Sequence, residues 1–212
     1  MTNYEFRALE ERDRAWICWM DELTETWGDE SKPLDDDYAA TREQYVNQWD
    51  ESQGGVILEA TALDDADVDA FSNDIARKDP FDPGFDRVAA FSASAILSRS
   101  SVVQTSAGDE ALRIPVGAAW LRTFTSDARG WGYVADEYPE VAIALRPGAV
   151  GRRLSTKLIS GLLDNARELG YPGVSLSVED GNDRARKSYV NMGFVRIGRS
   201  HAPDHDVMLY KF

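Results

Sequence analysis

The residues best suited to chemistry fall in the last third of this 212-residue sequence. Asn182 and Tyr189 stand seven residues apart in the run Asn182-Asp-Arg-Ala-Arg-Lys-Ser-Tyr189-Val-Asn-Met-Gly-Phe194. At about 100° per residue, that interval returns to the same helix face two turns later. Asn182 offers an amide with donor and acceptor, and Tyr189 a phenolic proton. A phenol beside a departing thiolate can protonate it. A helix-capping Asn and a core Tyr are the alternative, and the commoner use of either residue alone.

A second group lies upstream. Val141, Ile143 and Leu145 alternate with small alanines, as in a buried strand, and lead into a turn containing Gly148 and Gly151. Arg152, Arg153 and Lys157 then fall in the first turns of a helical pattern. A helix start exposes unpaired N–H groups and a positive dipole end, so it can hold a phosphate. Cations are poorly placed there, and a bound anion would remove the conflict. An ordinary strand–helix connection with a solvated basic end is the alternative. Neither Gly-x-Gly-x-x-Gly nor Gly-Lys-Ser/Thr is present, which disfavours a dinucleotide or P-loop site.

The elements that must position these groups follow from periodicity. The pattern predicts strands over 4–9, 56–60, 116–124, 139–145 and 174–178, and a closing hairpin of 194–197 with 207–212. Helices are expected over 10–27, 38–49, 152–169 and 182–192, with Gly28, Gly54-Gly55, Gly170 and Gly193 as stops. Between 61 and 113 the reading is an acidic helix over 64–78, a loop over 80–86, helix or strand over 87–99, and a turn over 105–110. That region reads as an insertion in one domain spanning 1–212. Trp131-Gly132-Tyr133 belongs to a loop or strand end, and His201 and His205 to a solvated loop around Pro203. The order is that of an α/β core with a parallel element and an antiparallel end.

The strand, glycine turn and helix, followed by Asn-x-x-Ala-x-x-x-Tyr-x-x-x-Gly-Phe, resemble the GNAT superfamily of acyl-CoA-dependent N-acetyltransferases. Pro115 to Phe124 is similar to the central strand that precedes this unit in many bacterial members. The resemblance implies an α+β fold: a mixed, mostly antiparallel central sheet with a splayed parallel strand pair, flanked by helices. It also implies acetyl-CoA as co-substrate, no metal, and direct attack of a primary amine on the thioester. By the same resemblance, the backbones of Val141 and Ile143 bond the pantetheine arm. Gly151, Arg152, Arg153, Leu154, Ser155 and Thr156 cradle the pyrophosphate. Asn182 contacts the coenzyme arm, and Tyr189 protonates the departing thiolate. The attacking amine must lose a proton, and Glu140 is the first candidate base, Glu137 the second. A solvated strand-end glutamate is the alternative for Glu140. One departure matters: the family's Arg-Gly-x-Gly-x-Gly reads Val150-Gly151-Arg152-Arg153-Leu154-Ser155 here. Arg153 could meet phosphate with its guanidinium, or fill the space and weaken binding. A catalytically impaired acyl-CoA-binding or structural module is therefore the rival reading.

Composition supports a globular protein and narrows its partners. There are 23 Lys plus Arg against 37 Asp plus Glu, a net charge of −14, which disfavours nucleic acid as partner. Residues 1–79 hold 22 acids and 7 bases, whereas 146–199 hold 10 bases and 5 acids. An acidic front half suggests a cationic acceptor, such as a polyamine, an aminoglycoside-like compound or a protein lysine, although every amine is a cation in solution. The single cysteine, Cys18, is expected to be buried and inert, and a zinc site is disfavoured. The opening residues do not read as a signal peptide, and no apolar run has the length of a membrane span. A cytoplasmic setting without membrane partners is expected. Trp27, Trp49 and Trp131 leave open a core, a substrate cleft or a homodimer face.

Overall fold

The structure, a computed structural model, describes residues 2–29, 31–61, 101–104 and 110–212. The expected elements over 64–78, 80–86 and 87–99 lie outside the described residues, as does most of the 105–110 turn.

The chain opens with β1 (Asn3–Ala8), a short 3-10 turn over Glu11–Asp13, and α1 (Arg14–Glu25). Next come α2 (Tyr38–Arg42), which runs on as a π turn over Glu43–Asn47, and β2 (Gly55–Thr61). Then follow β3 (Ser101–Gln104), β4 (Glu110–Arg122), β5 (Glu140–Leu145) and α3 (Leu154–Glu168). The chain closes with β6 (Gly173–Glu179), α4 (Asp183–Met192), β7 (Val195–Arg199) and β8 (His205–Lys211).

The strands form one sheet in the order β1-β2-β4-β5-β6-β8-β7, with β3 pairing on the first part of β4. Each pairing is antiparallel except β5 with β6. The expected mixed, mostly antiparallel sheet is therefore observed. α1 and α2 cover one face, where Trp16, Trp19, Met20 and Tyr45 pack on Trp120, Ala142 and Ala144. α3 covers the other, laying Leu158, Ile159 and Leu162 on Leu58, Leu121 and Val141. Alternation along β4 and β5 supplies both faces, so these central strands carry few polar side chains.

Several boundaries differ from the periodic reading. The helix expected over 10–27 splits, because Asp13 accepts the Glu10 N–H and caps a separate turn before Arg14. The helix expected from 152 begins at Leu154, since Arg153 is left-handed. The strand expected from 116 begins at Glu110, so the ends of the 61–113 segment are part of the sheet. Pro115, which has no N–H to give, sits within that strand at a register shift against Leu58 and Glu59. His205 is the first residue of β8 rather than a loop residue, and its ring packs 4.8 Å from that of Trp131. Cys18 is buried, and burial pushes its thiol up to about 11, as an inert cysteine requires.

Candidate active site

β5 and β6 share one registered pair, Glu140↔Ser175, and the Ser175 N–H donates to the Pro139 carbonyl at 2.9 Å. Past that pair the strands part, as a splayed parallel pair does. Backbone groups of alternate residues on a strand point to the same side. Val141 and Ile143 therefore share the direction of Pro139, toward the opening. The Thr24 hydroxyl reaches the Ile143 carbonyl at 3.3 Å from α1. A cavity of about 530 Å³ fills the opening. Its walls come from β5, β6, the end of α1, the turn before α3, and α4.

The turn before α3 has two left-handed residues, Gly151 at φ 87° and Arg153 at φ 61°. Arg153 occupies a position where the resemblance calls for glycine, and it takes up the glycine-like conformation. That costs an L-residue about 1–2 kcal/mol. Gly151, Arg153, Leu154, Ser155 and Thr156 line the cavity. Arg152 is exposed and is not on the wall. Arg184 and Lys187 of α4 line the cavity as well, so its wall carries three cations from the turn and α4.

Asn182 caps α4: its side-chain oxygen accepts the Ala185 N–H at 3.2 Å. The capping alternative is thus realised, and the Asn182 NH₂ is the group left for a ligand in the cavity it lines. Tyr189 lines the same cavity and packs beside Phe194, with ring centroids 5.8 Å apart. Burial pushes its hydroxyl up to about 12, so it stays protonated at any working pH.

Glu140 is buried at the root of the seam, 2% exposed, and lines the cavity. Its Oε1 accepts the Gly132 N–H at 2.6 Å and the Ser177 hydroxyl at 3.2 Å. Burial raises its pKa to about 7; the contacts of Tyr45, Gly132 and Ser177, and the charge of Arg122, oppose that rise. The loop that wraps it has no room for a side chain at Gly132. A Cβ on Gly132 would lie 2.5 Å from the Leu176 backbone carbon and 2.6 Å from the Ser177 nitrogen. A solvated strand-end glutamate is not what the structure contains. Glu137, by contrast, is exposed and off the cavity wall.

The sequence reading missed the acids of the cavity wall and His205. Asp21 and Glu25 of α1, Glu179 of β6 and His205 line it, and so does Trp27, for which a substrate cleft is one of the three expected places. Trp27 Nε1 donates to Glu179 Oε2 at 2.8 Å, tying the end of α1 to β6. Nothing in the sequence separates Asp21 and Glu25 from the other twenty acids of residues 1–79. Their spacing of four on α1 puts them on one face, but a buried stripe of aromatics surrounds them.

Residues 61–194 match the acetyltransferase (GNAT) family. The chain belongs to that family. Among solved structures, a domain from Methanocaldococcus jannaschii has TM-score 0.55 at 10% identity, with all of both chains covered. A GNAT-family acetyltransferase from Streptococcus pneumoniae has TM-score 0.52 at 12% identity, covering 99% of this chain and 100% of that one. The GNAT domain of S. lividans PAT has TM-score 0.52 at 12% identity, covering 99% and 90%. At these identities the structures speak for the fold. No curated protein sequence matches the chain. Family membership makes acyl-CoA N-acyltransfer the general activity. Among the described residues, no helix is long and apolar enough to cross a membrane.

Proposed function

We propose that this protein transfers an acetyl group from acetyl-CoA to a primary amine by direct attack, without a covalent enzyme intermediate. The supporting observation is the seam: β5 and β6 pair once at Glu140↔Ser175 and then part around one cavity whose wall carries Arg153, Arg184 and Lys187 and a buried carboxylate. The residues present fit acetyl-CoA. The open backbone edge at Val141 and Ile143 suits the amides of a pantetheine arm. The left-handed turn at Gly151 and Arg153, with the N–H groups of Leu154, Ser155 and Thr156, suits a pyrophosphate. The Asn182 amide and Tyr189 line the same cavity as these groups.

Bound acetyl-CoA would supply the electrophilic thioester. Glu140 takes the proton that the acceptor amine must lose, and a carboxylate near 7 is poised for that work at neutral pH. Tyr189 holds its proton more tightly than a thiol of ordinary pKa about 8.5 holds its own. Its hydroxyl therefore stabilises a leaving sulfur by donating a hydrogen bond, and outright proton transfer is uphill. Arg153 and Lys187 contribute positive charge at the phosphate end.

The test joins a thermal shift with acetyl-CoA to thiol release over a panel of amines. A ligand at 100 times its Kd adds about 2.7 kcal/mol of stability. A shift together with thiol release supports transfer. A shift without release from any amine favours the rival, an acyl-CoA-binding module with Arg153 in place of glycine. No shift overturns both readings.

A further inference from the structure

We infer that the acceptor is an amine carrying a second cationic group, a diamine or polyamine, whose distal ammonium is held by Asp21 and Glu25 while its reacting nitrogen faces Glu140. This rests on the transfer reading above and adds the acceptor class. The first observation is placement. The cavity takes its cations, Arg153, Arg184 and Lys187, from the turn before α3 and from α4, and its acids, Asp21, Glu25, Glu140 and Glu179, from α1, β5 and β6. One cavity thus offers partners both to a polyanion and to a polycation.

The second observation is Asp21 itself. It is 2% exposed, lies on the cavity wall, and its Oδ2 is buried without a hydrogen-bond partner. A buried carboxylate oxygen without a partner is costly in either protonation state, and a leucine or methionine would fill the space at lower cost. Burial, with Glu25 and Glu22 adding repulsion, raises its pKa to about 8; the Tyr38 hydroxyl and the Arg42 guanidinium, both from α2, oppose this. An arriving ammonium would repair the deficit. Glu25, one turn on, is raised to about 7 by burial and by Asp35, Glu179 and Asp37. Among the described residues, acids outnumber cations around the pair.

The third observation concerns spacing. Asp21 and Glu25 are i and i+4 on α1, with Cβ atoms about 5–6 Å apart. Among the described residues, no three His, Cys, Asp or Glu side chains gather closely enough to hold a metal ion. Two carboxylates on one helix face, beside a cavity of about 530 Å³, leave room for an extended organic cation. Trp27 also lines the cavity; its Nε1 is tied to Glu179, and Lys32 Nζ stands 4.3 Å from its ring centroid.

The experiment compares pentylamine, cadaverine and δ-aminovalerate, which share a five-carbon chain and differ in the distal group. The expected kcat/KM for cadaverine is about 10–100-fold above that for pentylamine, with δ-aminovalerate below both. Asp21→Asn, which is nearly isosteric, should collapse the cadaverine-to-pentylamine ratio toward one, and Glu25→Gln should reduce it. Melting temperatures of both variants report whether they fold. A second readout needs no turnover: calorimetric binding of cadaverine to the chain alone, weakened about tenfold by Asp21→Asn. Thiol release equally fast from all three amines overturns this inference and leaves transfer standing. A lysine peptide strongly preferred over cadaverine also overturns it. Asp21-dependent cadaverine binding with no thiol release from any amine supports the acceptor site and sinks the transfer reading.

Discussion

Replacing Arg153 with glycine should move stability and coenzyme affinity in opposite directions. Arg153 is held at φ 61°, which costs an L-residue about 1–2 kcal/mol. Glycine removes that cost but brings its own loss of backbone freedom, about 0.5–1 kcal/mol. The net is a gain of about 0.5–1 kcal/mol, or a melting temperature raised by about 1–4 °C for a chain of this size. The same change deletes a guanidinium from the cavity wall. A hydrogen bond to a charged group contributes about 1.5–3 kcal/mol, and Arg153 is exposed, so the lower end applies and acetyl-CoA should bind about tenfold more weakly. Arg153→Ala separates the two effects: it should weaken binding to the same degree with no gain in melting temperature. Thermal unfolding and calorimetric titration with acetyl-CoA read both quantities, and the loss of affinity should shrink as salt is raised. A lower melting temperature for the glycine variant would refute the strain argument. Tighter acetyl-CoA binding by either variant would show that the side chain obstructs the turn.

Three further outcomes follow from the geometry. Glu140→Gln should lower kcat about a hundredfold; the parent's kcat/KM should rise with pH through about 7 as the base loses its proton, and this limb should vanish in the variant. Tyr189→Phe should lower kcat about tenfold with acetyl-CoA affinity nearly unchanged, because a hydroxyl near 12 donates a hydrogen bond rather than its proton; a variant as fast as the parent would leave Tyr189 a packing residue. Gly132→Ala should cost about 1–3 kcal/mol of stability and perturb the Glu140 profile, since the added methyl meets the Leu176–Ser177 backbone; an unchanged melting temperature would contradict the tight loop.

The carboxy-terminal half was legible because its signals are local. Strand alternation at Val141, Ile143 and Leu145, the stripe of Leu158 and Leu162, and Gly193 after Met192 each need only a few neighbours to be read. The spacing of Asn182 and Tyr189 put both on one wall for the same reason. Glu140 was legible as a candidate, but its burial was not, because that depends on the 130–132 loop and on Tyr45 arriving from 95 residues upstream. Asp21 and Glu25 were invisible: only the packing of α1 across β5 brings them to the cavity, and no local pattern marks one acid among many. Arg153 read as a broken motif, yet its backbone takes the conformation the missing glycine would have taken.

Among the described residues, one rung, Glu140↔Ser175, joins β1–β5 to β6–β8 within the sheet. Order in a sheet propagates from strand to strand through such rungs, so the two halves behave as plates sharing a short weld. α3 lies under both, and the Ser200 hydroxyl reaches the Trp131 carbonyl from the far plate. A molecule bonding along both lips of the gap would act as a keystone. Amide exchange should then slow not only at Ile143, which it touches, but also at Val207 and Leu209 on β8, which it never meets. In that sense the coenzyme would complete the folded architecture as well as supply a reactant.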